Sequence, residues 1–272
     1  MKLKDKKEIT YSEYVGKVNE TNRPSGGIKT VQKCCVNAFI NEKKKVLEIG
    51  CNTGFTSLNI AQLTGASVLG IDLIEDSLSE ARKKAKENKI NNVKFEKASA
   101  TKLPYKNESF DVVWLSNVLS FIEDKKNALR ECIRVLKKGG FLIFVPIYYK
   151  KKVPKKIVKE VGKAINSELN ILKKKDWIDF IKKNEDNLEI IFEEDSEYID
   201  ASDNIEKYLR EVFKKDSLKK EDNSLLIEKG RYFMKLFNKN LKHAGFSIFI
   251  LQKRNYLEEI ELFLSRPIKG NK

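Results

Sequence analysis

One junction constrains this chain more than any other. Lys45-Val46-Leu47-Glu48-Ile49 is a short strand signal, and it runs straight into Gly50-Cys51-Asn52-Thr53-Gly54 and then a helical pattern from Phe55 to about Leu63. A strand end, a glycine turn and a helix start, in that order, build a nucleotide-type site, because missing side chains let a ligand approach the backbone. The same reading expects free N–H groups of the turn and helix start to face that ligand. Asn52 stands where a further glycine is expected, and asparagine tolerates left-handed backbone better than most residues.

Asp72 is the second constraint. Ser67–Asp72 reads as a second strand, and the acid closes it 22 residues beyond Gly50. An acid at that distance from a glycine turn accepts hydrogen bonds from ribose hydroxyls; a helix-capping aspartate is the plain alternative. A dinucleotide fingerprint would need glycine where Asn52 and Phe55 stand, and Phe55 would crowd a pyrophosphate approaching the helix.

The pattern continues with a helix over Ser77–Asn88 and strands over Val93–Glu96 and Phe110–Leu115. A helix over Lys125–Leu136 is then closed by the cations and glycine cap of Lys137-Lys138-Gly139-Gly140, and Phe141–Ile147 is an apolar strand. Strands alternating with helices at this rhythm predict a parallel sheet with right-handed crossovers. Before this core, Arg23-Pro24-Ser25-Gly26-Gly27 reads as a turn and Ile28–Ile40 as a helix. After it, residues 150–187 are lysine-rich and helical, Leu188–Phe192 reads as a sixth strand, residues 202–244 are helical, and Phe246–Leu251 is a last strand introduced by Gly245. The expected organisation is a helical cap segment (1–43), a cofactor-binding core (44–149), a mainly helical insertion that covers the acceptor site (150–245), and a last strand with tail (246–272).

Length and charge narrow the function classes. A chain of 272 residues suits one α/β domain with a modest cap. Its net charge of +15 comes mainly from lysine spread along the chain among glutamates, which fits a solvated surface better than a nucleic-acid face. No apolar run approaches the ~20 residues of a membrane span, and the charged N-terminus lacks a secretory pattern, so a cytoplasmic protein without a membrane partner is expected. Cys34, Cys35, Cys51 and Cys132 form no C-x-x-C pair, and His243 is the one histidine. No metal site is expected, and His243 reads as a surface or C-terminal capping residue.

At this point the chain resembles the class I S-adenosylmethionine-dependent methyltransferases, in particular the broad small-molecule "type 11" group, over about residues 44–149. The resemblance implies a Rossmann-like α/β fold: a mostly parallel seven-stranded sheet flanked by helices, with a helical cap. It implies that Glu48, Gly50, Cys51, Asn52 and Gly54 hold the methionine portion of S-adenosylmethionine, that Asp72 binds ribose and that Leu73 packs on adenine. Ala98-Ser99-Ala100-Thr101-Lys102-Leu103-Pro104 matches the family's adenine loop, with Ser99 replacing the usual aspartate and Ala100 offering its backbone N–H. Asn117 follows the fourth strand beside the expected cofactor edge. The segment Thr21–Gly27 resembles a cap of some members, which would let Tyr11, Tyr14 and Arg23 close over the site; an ordinary surface helix and turn is an equal alternative.

The family's chemistry is in-line displacement at an already activated sulfonium methyl group, so alignment and exclusion of water are the protein's main tasks. No general base stands out. The polar candidates are Asn117, Tyr148, Tyr149, Tyr11 and Tyr14, with packing an equal reading for the two tyrosines after the fifth strand. The chain lacks Asn-Pro-Pro-Tyr after the fourth strand and lacks a Pro-Cys nucleophile pair. The expected acceptor is therefore a small molecule taking O- or N-methylation, with an anionic metabolite suited to the lysine surface. An RNA methyltransferase and a catalytically inactive cofactor-binding partner subunit are the alternatives.

Overall fold

Strands β1 (Lys45–Ile49), β2 (Ser67–Asp72), β3 (Val93–Lys97), β4 (Phe110–Ser116) and β5 (Leu136–Val145) pair in parallel in the order β3-β2-β1-β4-β5. These come from a computed structural model that describes residues 9–18, 23–169, 171–185, 187–214 and 223–254. The sheet continues with β8 (Ala244–Lys253), antiparallel to β5, and β7 (Leu188–Glu197), antiparallel to β8. A short β6 (Ile147–Tyr149) carries the line of β5 onward along the same edge of β8. Pro146 separates the two because it has no N–H to give the ladder. The sheet therefore has seven positions across, six running one way and β8 running the other.

Both faces of this sheet are covered, which is why β4 and β5 are apolar nearly throughout. On one face lie α2 (Gly27–Asn37), α3 (Phe55–Thr64) and α4 (Glu75–Glu87), packed through Val31, Leu58, Ile60, Leu78 and Ala81 onto Val46, Val68, Trp114 and Ile250. On the other lie α5 (Lys125–Val135) and α7 (Lys174–Asn184), packed through Leu129, Cys132, Trp177 and Ile181 onto Leu47, Val113, Leu142 and Phe249. The edge strand β7 alternates half-buried and exposed residues, with Glu189, Glu193, Asp195 and Glu197 outward, a charge pattern that discourages edge-to-edge pairing.

A second apolar cluster is purely helical. It joins α1 (Tyr11–Lys17), α6 (Lys155–Ile165), α8 (Ile205–Phe213) and α9 (Ser224–Leu241) through Tyr14, Val161, Val212, Phe233 and Leu236. A buried pair links this unit to the sheet: Tyr149 of β6 and Asn240 of α9 exchange hydrogen bonds at 2.9 and 3.3 Å.

One expectation changes. Lys137-Lys138-Gly139-Gly140 is not a helix cap: α5 passes into β5 at Leu136, which is extended and pairs with Phe110. The next pair is Val112 with Phe141, so the basic, glycine-containing segment bulges out of the ladder, with Gly139 at φ 71°. His243 is half-buried just past the end of α9, where its N–H donates to the Asn240 carbonyl at 3.0 Å and its carbonyl accepts the N–H groups of Lys150 and Lys151. Beyond residue 254 the expected tail lies outside the described residues, as do residues 1–8 and 19–22 of the N-terminal segment. All four cysteines are buried free thiols. Among the described residues no helix is long and apolar enough to cross a membrane.

Candidate functional site

The carboxyl ends of β1, β2 and β4 lie side by side, with Ile49 beside Ile71 and Leu115. That register sets Gly50, Asp72 and Ser116 along one edge of the sheet, at the point where α3 begins. The turn after β1 is left-handed at three places, Gly50 (φ 73°), Asn52 (φ 47°) and Gly54 (φ 84°). Asparagine thus adopts the backbone that a glycine would otherwise supply. Gly54 is required for packing as well, since a Cβ there would sit 2.8 Å from Phe95 and 3.0 Å from Ala81.

The turn has no spare donors. Gly50 and Cys51 give their N–H groups to the Ile71 carbonyl at 2.8 and 2.9 Å, and Gly54 gives its own to the Cys51 carbonyl at 2.9 Å. Asn52 donates to Asp72 Oδ2 at 2.9 Å, and Thr53 donates to Asn52 Oδ1 at 2.8 Å. Free N–H groups expected to face a ligand are thus not supplied by Gly50–Gly54, which leaves those at the start of α3, Phe55 and Thr56. Each donor from Gly50 to Gly54 is satisfied inside the protein, and the Cys51 and Gly54 carbonyls accept there as well. A pyrophosphate needs the opposite arrangement.

Asp72 accepts on both oxygens, from Asn52 and, on Oδ1, from the N–H of Ile74 at 3.0 Å. Each oxygen keeps a lone pair for a further donor, and the residue is only half-buried. Beside it Leu73 is 62% exposed and Ile74 is 45% exposed. An acid flanked by uncovered apolar side chains at the carboxyl edge of a parallel sheet suits a sugar joined to a flat base.

Glu48 and Cys51 lie behind this surface. Glu48 is 4% exposed and its Oε2 accepts from the Ser57 N–H at 2.9 Å and from the Ser57 hydroxyl. It thus holds the first turn of α3, which has no side-chain cap of its own. Burial pushes its carboxyl up to about 7, opposed by hydrogen bonds from Ser57 and Thr56. Cys51 is buried, a Cβ on Gly70 would lie 2.9 Å from its own, and burial pushes its thiol well above the usual range.

The loop after β3 turns tightly, with the Ser99 carbonyl accepting from Lys102 at 3.1 Å and the Ser99 and Thr101 hydroxyls 2.8 Å apart. Ala100 sits buried at its tip. The Ala98 N–H reaches the Asp72 carbonyl at 3.2 Å, which ties this loop to the same edge. After β4, Asn117 is left-handed (φ 52°), donates its N–H to Val145 at 2.9 Å and accepts from the Ser120 hydroxyl at 2.9 Å. It opens a short 3-10 turn, Val118–Phe121, in which Phe121 is 54% exposed.

The tyrosines do not join this edge. Tyr11 packs on Phe233 and Phe237, and Tyr14 is fully buried against Phe233, so α9 takes up both. Tyr148 is buried and donates to Asp195 of β7, while Tyr149 is held by Asn240. Arg23, by contrast, places its guanidinium 5.5 Å from the centre of the ring of Phe55, the residue after Gly54. Sequence reasoning missed the Phe55 platform, the uncovered Phe121 and the Glu48–Ser57 anchor. The only sequence signal for these was their place just after β1 and β4.

Comparison with known proteins agrees with this geometry. A family described as a methyltransferase domain matches residues 40–230. A protein of Haemophilus influenzae named only as uncharacterized is 32% identical over 167 residues, which is 60% of this chain and 66% of that protein. The 27-O-demethylrifamycin SV methyltransferase of Amycolatopsis mediterranei is 33% identical over 127 residues, 44% of this chain and 47% of that one. The chain thus spans less than two thirds of the length of either relative. The crystal structure of MccD protein superposes with a TM-score of 0.71 at 27% identity, covering 86% of this chain and all of that one. With the family match over most of its length, the chain belongs to the class I S-adenosylmethionine-dependent methyltransferases.

Proposed function

We propose that this protein transfers a methyl group from S-adenosylmethionine to a small-molecule acceptor. The observation that carries the reading is the coupled pair of Asp72 and the donor-saturated turn at Gly50–Gly54. The residues present fit the cofactor. Asp72 has lone pairs for ribose hydroxyls, Leu73 offers an uncovered apolar surface for adenine, and the Gly50–Gly54 turn has no N–H groups to give a phosphate. When bound, S-adenosylmethionine supplies an activated methyl group on sulfur.

In this reading Asp72 orients the nucleoside, and the loops at Ser99–Ala100 and Asn117 border it. Glu48 holds α3 so that the turn keeps its shape. Since donor activation comes from the cofactor, the chain's own contribution is orientation and exclusion of water. The helical unit of α1, α6, α8 and α9 with the 23–27 turn covers the acceptor side. The relative named for a rifamycin-type substrate supports a small-molecule acceptor, as does the absence of the nucleic-acid methylation motifs from the sequence. The acceptor atom in this reading is oxygen or nitrogen.

The test is methyl transfer from labelled cofactor into a metabolite extract and, in parallel, into total RNA. A labelled small product is expected. Label confined to RNA, with binding that falls steeply with salt, would replace this reading with an RNA methyltransferase, and no transfer despite cofactor binding would leave an inactive binding subunit.

A further inference from the structure

One basic stretch stands apart from the lysine–glutamate mixture of the rest of the chain. Residues 150–159 hold six lysines and no acid. They lead from β6 into α6, and a second group, Lys173-Lys174-Lys175, opens α7. The two groups meet, because the Tyr149 N–H donates to the Leu172 carbonyl at 2.8 Å. The first group has a fixed base: the Lys150 and Lys151 N–H groups bond the His243 carbonyl, and Val153 is buried with Tyr149 and Ala244.

Two of these lysines are neutralised within the fold, Lys150 by Glu197 and Lys174 by Glu193 and Asp195. Lys152, Lys155, Lys156, Lys159, Lys173 and Lys175 are exposed and make no ion pair among the described residues. On α6 charge and packing are on opposite sides. Lys155, Lys156, Lys159 and Lys163 fall within about 100° of one another around the helix axis. Ile157, Val158, Val161, Ala164 and Ile165 take the other side, packed into the helical cluster and against Tyr149. The charges do not serve the helix that carries them. Lys155 and Lys156 lie in its first turn, which has no acid and no side-chain cap, and cations are unfavourable at that end of the helix dipole.

A dense lysine face without counter-charges fits a polyanion, and its chemistry narrows which one. Nucleic-acid recognition favours the arginine fork and exposed rings that stack on bases. No arginine lies between residues 135 and 209, and the rings beside the face, Tyr148, Tyr149 and Trp177, are buried. Lysine point charges suit the diffuse negative charge of lipid headgroups. Ile171, two residues before Lys173, is 42% exposed, an apolar side chain suited to a headgroup layer. We propose that the lysine face of α6, with Lys152, Lys173 and Lys175, docks the protein on an anionic lipid surface. Adsorption of this kind is peripheral and needs no spanning helix, and it departs from the expectation of a protein without a membrane partner.

The experiment is cosedimentation of the full chain with vesicles of phosphatidylcholine alone and of phosphatidylcholine mixed with phosphatidylserine. Wild-type protein should bind the anionic vesicles only, and less tightly as salt is raised. A triple variant, Lys155→Gln with Lys156→Gln and Lys159→Gln, should lose on the order of a hundredfold in affinity. A control, Lys86→Gln with Lys89→Gln and Lys94→Gln, removes the same charge beside β3, at the far edge of the sheet from β6, and should keep most of the wild-type affinity. Equal binding to both kinds of vesicle, or none to the anionic ones, would overturn the proposal. So would a control that loses as much as the α6 variant, which is what diffuse net charge would give. Tighter binding per phosphate to total RNA, lost in the α6 variant, would overturn it in favour of nucleic acid. No readout here involves the cofactor or methyl transfer, so the proposal stands or falls apart from the methyltransferase reading.

Discussion

The backbone N–H of Asn52 donates to Asp72 Oδ2 across 2.9 Å, so the acid closing β2 and the turn closing β1 hold one another in place. Asp72 therefore has two jobs, fixing the turn and presenting lone pairs at the edge. Asp72→Ala should weaken S-adenosylhomocysteine binding by about 1–3 kcal/mol, the cost of losing hydrogen bonds to a charged acceptor. Calorimetry reads this directly, and an Asp72→Ala protein that binds like wild type would remove Asp72 from the site.

Gly50 tests the turn itself. A side chain there faces two obstacles: φ is +73°, and a Cβ would lie 2.8 Å from Val118 Cγ2. Gly50→Val should abolish S-adenosylhomocysteine binding and cost about 1–3 kcal/mol of stability from backbone strain and overpacking. Adding Val118→Ala should recover part of the stability, because it relieves the clash and leaves the strain. Urea titration of the single and double variants separates the two parts.

Glu48 predicts a pH dependence. Its carboxyl is raised to about 7 in the folded protein by burial, whereas in the unfolded chain it titrates near the ordinary ~4.3. Between those values the folded state holds a proton that the unfolded state has lost, so this group makes stability fall as pH rises from about 4.3 to about 7 and level off above. Glu48→Gln should flatten that part of the profile by as much as a few kcal/mol, an amount that follows from the shift itself. Denaturant midpoints at pH 5 and pH 8 check it; a variant with the wild-type slope would show that Glu48 does not titrate there.

The cap offers a case where two effects oppose. Gly230 lies within α9, where alanine would ordinarily gain about 1 kcal/mol of helix propensity. A Cβ at Gly230, however, would sit 2.2 Å from the Tyr14 hydroxyl and 2.9 Å from Leu209 Cδ2, and overpacking costs about 1–3 kcal/mol. The clash wins, so Gly230→Ala should destabilise the protein. Tyr14→Phe in the same chain should return part of the loss, and thermal unfolding of the four members of the cycle measures it.

Much of this was legible because it is local. The strand at Lys45–Ile49, the left-handed tolerance of Asn52 and the placing of Asp72 each depend on a few neighbouring residues, and periodicity found the strands of the parallel core. What was not legible depends on partners distant in sequence. Lys137–Gly140 has the composition of a helix cap, yet Leu136 pairs with Phe110 and the sheet claims the segment. The donors of the turn look free in one dimension, but the Ile71 carbonyl takes two of them from the adjacent strand. Tyr11 and Tyr14 sit on a short helix whose facing is decided by Phe233, more than two hundred positions away.

The antiparallel strand β8 has a consequence for how the chain comes to be folded. It is the neighbour that β5, β6 and β7 share, and it is the last strand, among the described residues, to leave a ribosome. Throughout synthesis of residues 150–243 the nascent polypeptide therefore carries Phe141–Val145 as an open apolar border, and β7 waits without a ladder. Non-local closure of this kind leaves an interval in which such a border can pair with another chain. A stop introduced just before residue 244 would make that interval permanent, and such a truncated product is expected in the insoluble fraction.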